Sequence, residues 1–123
     1  MNPKQEYKKI INSFKYAIEG FISSFKTERN MKIHVLAMAM VIALGIFLKL
    51  SKIEWCIIII TIVMVISAEL FNTAIETVVD IVSPQKNPQA KLAKDIAAGA
   101  VLTLAIGAVI IGAIIFIPKI VTF

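Results

Sequence analysis

Apolar and polar positions alternate along this chain in four distinct regimes. Over residues 3–27, Tyr7, Ile10, Ile11, Phe14, Ala17, Ile18, Phe21, Ile22 and Phe25 recur at three- and four-residue spacing, with Lys4, Lys8, Lys9 and Lys15 mostly between them. That pattern predicts an amphipathic helix, too charged to cross a bilayer and suited to lying in the headgroup plane. A polar break, Thr27–Asn30, follows, and residues 33–48 are apolar apart from His34. Sixteen residues of helix cover about 24 Å, short of a roughly 30 Å hydrocarbon core, and Lys32 and Lys49 can snorkel to close the gap. Ser51–Glu54 reads as a tight turn, with Trp55 at an interfacial position. The second apolar stretch covers residues 55–79. A connection over residues 81–93, punctuated by Ser83-Pro84 and Asn87-Pro88, leads to a third over residues 96–117, which Pro118 and Lys119 end.

The predicted class is an all-α membrane protein: a surface helix and three spans in a single domain, 1–123. Composition agrees, with 59% apolar residues and a formal net charge of +5. The basic excess flanks the spans, which points to anionic headgroups, and nothing resembles a nucleic-acid-binding motif. Seven Lys and Arg precede the first span, and Lys86, Lys91 and Lys94 lie between the second and third, against Lys49, Lys52 and Lys119 on the other side. This asymmetry predicts a cytoplasmic N-terminus and an outer C-terminus. No cleavable signal peptide is expected, because the first thirty residues are charged without an apolar core. Cys56 cannot form a disulfide within one chain and reads as a small apolar residue.

The chemistry concentrates where the second span leaves the apolar region. Glu69, Asn72 and Glu76 fall at i, i+3 and i+7, on one helix face over about 10 Å of rise. An ionised side chain at the bilayer centre costs from about 2.5 kcal/mol upward, so such a set needs a metal, a lysine or a polar substrate. The predicted topology gathers Glu28, Glu76, Lys94 and Asp95 on the cytoplasmic side. Carboxylates with an amide and a lysine suit magnesium and phosphate. Asp95 also reads as a residue near the start of the third helix, where a carboxylate favours the N-terminus. His34, with no second histidine or cysteine pair, reads as an interfacial hydrogen-bonding residue and not a zinc ligand. A phosphate loop of the G-x-x-x-x-G-K-[ST] type and a kinase catalytic-loop signature are both absent from the sequence.

Glu69-x-x-Asn72-x-Ala74-Ile75-Glu76-x-Val78-Val79-Asp80 and Ala93-Lys94-Asp95, with Lys26–Asn30 and Ser83-Pro84, resemble the prokaryotic diacylglycerol kinase family. The likeness runs from Phe14 to Pro118. It is greatest to the Gram-positive branch, whose members act chiefly as undecaprenol kinases. The resemblance implies ATP- and Mg²⁺-dependent phosphorylation of a membrane lipid hydroxyl at the cytoplasmic face of the bacterial plasma membrane. It also implies a homotrimer with sites shared between subunits. It makes Glu69 the base, Glu28 and Glu76 the magnesium ligands, and Asn72 a residue that positions substrate or phosphates. It puts Tyr16, Gln85, Lys86, Asn87, Lys94 and Asp95 on the nucleotide, and Lys9 and Ala98 on the lipid. The chain departs from the family in two places. Its second connection lacks the acid and histidine often found there, and Ala98 replaces the serine of enteric diacylglycerol kinases, which leans away from diacylglycerol as acceptor. Alternatives are a diacylglycerol kinase proper, an ion-translocating subunit with Glu69 as carrier, and a purely structural membrane subunit.

Overall fold

A computed structural model describes residues 1–122 as four helices: α1 (Pro3–Thr27), α2 (Arg29–Phe47), α3 (Lys52–Val82) and α4 (Pro88–Val121). The protein is all-α, and α2, α3 and α4 are each long and apolar enough to cross a membrane.

Three of the four helix starts are specified by a side-chain cap. Asn2 and Gln5 form a reciprocal capping box at α1, with Gln5 N–H donating to Asn2 Oδ1 at 2.9 Å and Asn2 N–H to Gln5 Oε1 at 3.2 Å. Ser51 and Glu54 repeat the device at α3. Asn87 caps α4 by accepting from Gln89 N–H and Ala90 N–H, with Pro88 at the first helical position. Proline is well tolerated there, because its missing N–H has no intrahelical partner to lose. Asn87-Pro88, read in the sequence as a breaker, is therefore a helix start, and the connection shrinks to residues 83–87. Asp95 consequently lies two turns inside α4, not at its N-terminus, and pairs with Lys91 at 2.6 Å.

The polar break before the first span is one residue wide. Glu28 alone is extended (φ −105°, ψ 117°) and turns the chain from α1 into α2. At the far end of α2, Lys49 adopts φ 55°. Leu50 N–H donates to Gly45 C=O at 3.1 Å and Lys49 N–H to Ile46 C=O at 3.3 Å. This is the paired bond pattern of a Schellman stop, with Leu50 folding back to cover the last turn. At the end of α4, Pro118 does not stop the helix, which runs on to Val121. Ile115 and Phe116 are buried just before it, and Lys119 just after it pairs with Glu54 at 3.0 Å, so packing on both sides holds the turn in register.

The helices divide the interior into two halves. In the half remote from the α3–α4 connection, Leu50, Ile58, Ile115 and Phe116 form the core, flanked by Leu44, Trp55 and Ile111. One stripe of α3 then passes from apolar to polar: Ile58, Val65, Glu69 and Asn72 are its buried residues. Their spacing of seven, four and three residues keeps them on one face. The other faces of α2, α3 and α4 carry exposed Ile, Val, Leu and Met, as expected of helices solvated by lipid or by further helices.

Candidate active site

Glu69 occupies the polar part of that stripe, toward the α3–α4 connection. It follows Lys52 by about 26 Å of helix at 1.5 Å per residue, close to the far border of a roughly 30 Å hydrocarbon layer. Its side chain is 1% exposed, and neither carboxylate oxygen takes a hydrogen bond. Asn72, one turn on, is also buried. Its Nδ2 donates to Glu76 Oε1 at 3.2 Å, while its Oδ1 takes no hydrogen bond. Buried polar atoms left in this condition are costly and call for a partner such as a water, an ion or a ligand. Glu28, on the extended residue between α1 and α2, and Glu76 both act electrostatically on Glu69. The single break at Glu28 thus carries a third carboxylate to the site from another part of the chain.

Helix α1 is fastened to this region. Ser24, buried on α1, shares a hydrogen bond with Thr73 of α3 at 3.3 Å, and Thr73 Oγ1 donates to Glu69 C=O at 3.0 Å. Met31, wholly buried, lies at the start of α2.

Two adjoining cavities meet beside Glu69. A cleft of about 240 Å³ is lined by Asn30, His34, Glu69, Asn72, Ala98 and Leu102, among others. An apolar groove of about 300 Å³ lies between α2, α3 and α4, lined by residues including Met38, Ile62, Val65, Val109 and Phe116. His34 and Ala105 line both. A third cavity, about 820 Å³, lies at the connection and is lined by Asp80, Ser83, Gln85, Lys86, Asn87, Lys91 and Lys94. There Lys94 hydrogen-bonds Asp80 across the loop. Lys94 lies outside the apolar run that starts at Ile96. Its hydrogen bond to Asp80 holds the ammonium above the ordinary lysine range, with the charges of Asp80 and Glu76 adding to the effect and desolvation opposing it.

The residues singled out in the sequence thus fall into groups. Glu69, Asn72 and Ala98 share the cleft, and Glu76 is joined to it through Asn72, while Glu28 and Glu76 line none of the three cavities. Gln85, Lys86, Asn87 and Lys94 share the loop cavity, although Asn87 Oδ1 is committed to capping α4. Asp95 is exposed and tied to Lys91. Tyr16 and Lys9 are exposed on α1 and line none of these three cavities. Two residues gain significance only in the structure. Asp80 is the partner of Lys94, and His34 Nε2 stands 3.8 Å from Glu69 Oε2. Nothing in the spacing along either helix announces these pairs, because each joins separate helices.

Among the described residues, no three His, Cys, Asp or Glu side chains converge to hold a metal by themselves. Mg²⁺ is commonly held by one or two carboxylates together with substrate phosphates, an arrangement that needs no cluster of three protein acids.

The model of the prokaryotic diacylglycerol kinase family matches residues 15–116. The chain belongs to that family. The match takes in all the singled-out residues except Lys9. This membrane lipid kinase is 43% identical to the undecaprenol kinase of Bacillus subtilis over 116 residues, 94% of either chain. It is 42% identical over 110 residues to a diacylglycerol kinase of Synechocystis, covering 89% of this chain and 63% of the relative. Against the diacylglycerol kinase of Haemophilus influenzae it is 34% identical over 108 residues, 87% of this chain and 92% of the relative. The lipid kinase therefore takes a membrane lipid and ATP as its two substrates and works in a bacterial membrane.

Proposed function

We propose that the lipid kinase phosphorylates undecaprenol, forming undecaprenyl phosphate at the cytoplasmic face of the plasma membrane. The observation that carries this reading is a buried, unbonded carboxylate beside a long apolar groove. Glu69 and the groove share His34 as a common border, so an alcohol at Glu69 has a lined path for its hydrocarbon chain. The strong likeness to an undecaprenol kinase over 94% of the chain supports the same acceptor. Ala98 lines the cleft without a polar side chain, which fits an alcohol bearing one hydroxyl better than a glycerol backbone with further polar groups.

In this mechanism Glu69 accepts the proton of the lipid hydroxyl. The freed oxygen bonds to the γ-phosphorus of ATP, and the bond from that phosphorus to the β-phosphate oxygen breaks, leaving ADP. Asn72 fixes the carboxylate of Glu76 through its amide. Glu28 and Glu76 would hold Mg²⁺, which when bound offsets the negative charge of the phosphates. Lys94, steered by Asp80, binds phosphate from the loop side, and Gln85, Lys86, Asp95 and Tyr16 complete the nucleotide's surroundings. Asn87 contributes by fixing the start of α4 beside them. Lys9 serves as a headgroup contact on the surface helix.

The working form is a homotrimer with the N-terminus in the cytoplasm. Ten basic residues against three support that orientation. Open space beside Gly99, Gly107 and Gly112 supports close approach of neighbouring helices along α4. Competition decides the acceptor: the detergent-solubilised protein receives undecaprenol and diacylglycerol together with radiolabelled Mg-ATP. Preferential labelling of undecaprenol is the expected result, and preferential labelling of diacylglycerol overturns the choice of lipid.

A further inference from the structure

His34 stands on α2 and Glu69 on α3, with 3.8 Å between Nε2 and Oε2. That separation is too long for a direct hydrogen bond. It is nevertheless short enough for one oxygen atom, about 2.8 Å from each, to bridge the two. Both Glu69 oxygens lack hydrogen bonds, and both side chains line the same cleft. An alcohol is the group whose bonding matches the gap. Its O–H donates to Glu69, while its lone pair accepts from an imidazole Nε2–H.

We propose that His34 and Glu69 together grip the lipid hydroxyl, so that His34 is a substrate-binding residue of the transfer reaction. The inference rests on the reading of the substrate as a long-chain alcohol. Other polar groups of the cleft are less suited. Asn72 Nδ2 is engaged by Glu76, Ala98 has no donor, and Asn30 is exposed at the mouth. Position favours His34 as well. It is 19% exposed where Glu69 is 1%, and it borders the apolar groove, so an alcohol seated between the two sends its chain into that groove. During transfer the hydroxyl proton goes to Glu69 as the oxygen–phosphorus bond forms, and the electron pair of the broken bond leaves on ADP. His34 keeps its own proton throughout and holds the oxygen in line.

Three variants test the grip, each assayed in detergent with undecaprenol and Mg-ATP varied in turn. The amide nitrogen of Gln is as many bonds from the backbone as Nε2, whereas that of Asn matches Nδ1 and falls short. His34→Gln is expected to keep KM for the lipid within about threefold of wild type. His34→Asn and His34→Ala should raise it about tenfold, the size expected for one lost hydrogen bond, with KM for ATP unchanged. If His34→Ala fails to fold by circular dichroism and gel filtration, the Gln and Asn pair decides. Equal lipid KM in Gln and Asn variants, or an equal rise in KM for ATP, overturns the grip while leaving the kinase reading standing. A wild type that labels no lipid overturns the kinase reading itself.

Discussion

The ammonium of Lys94 hydrogen-bonds the carboxylate of Asp80, joining the loop-side ends of α4 and α3. The pair sits in the loop cavity with Gln85 and Lys86 and is largely open to water, Asp80 being 64% exposed. An exposed pair of this kind contributes about 0–1 kcal/mol to stability. Its consequence lies in where it holds the lysine.

Removing that lysine should therefore separate function from stability. Lys94→Met and Asp80→Asn are both expected to melt within a few degrees of wild type, consistent with a loss of no more than about 1 kcal/mol. Lys94→Met should lower kcat/KM for ATP by about tenfold or more, since a charge-assisted phosphate contact is lost. Asp80→Asn should have the smaller effect, because the lysine keeps its charge. Steady-state assays with ATP as the varied substrate, alongside thermal melts, check both; a marked drop in melting temperature with unchanged ATP kinetics would make the pair a structural clasp.

Glu69 poses the opposite case, a group the fold accommodates at a cost. It is buried with no hydrogen bond to either oxygen, so its neutral isostere relieves the folded state of a desolvated carboxylate. Glu69→Gln is expected to lose roughly 10²–10⁴-fold in kcat, the range for a positioned proton acceptor. Its thermal stability should equal or exceed that of wild type. Parallel measurement of phosphate transfer and melting temperature checks this, and full activity in the Gln variant would remove Glu69 from the chemistry.

Near the end of α2, Gly45 is required by close approach. A Cβ built there would stand 2.9 Å from both Leu50 Cδ1 and Trp55 Cη2, and 3.2 Å from Trp55 Cζ2. The Leu50 methyl can shift, but the indole ring is a rigid wall between α2 and α3. Gly45→Ala should cost about 1–3 kcal/mol, the range for overpacking, despite the better helix propensity of alanine. Emission from Trp55, the single tryptophan, reports the change directly, and unaltered emission with unaltered melting would refute the packing argument.

Much of the candidate site was legible in the sequence because it lies within one helix. The spacing of Glu69, Asn72 and Glu76 fixes their shared face before any packing is known, and Asn72 does reach Glu76. The limits of α4 were less legible. Asn87-Pro88 reads equally as a breaker and as a cap followed by a first-turn proline, and the difference moves Asp95 from a helix start into an i,i+4 pair with Lys91.

Taken by itself, the order of residues determined the helices, the membrane class and the acidic face, since each follows from periodicity over a few turns. Tertiary structure decided which helix supplies the neighbour of each of these polar groups: His34 beside Glu69, Asp80 beside Lys94, Ser24 beside Thr73. It also decided that an apolar groove opens next to the buried carboxylate. The physical reason is that side-chain spacing along a helix is set by local geometry, whereas contacts between helices depend on how their faces pack, which no single stretch of sequence encodes.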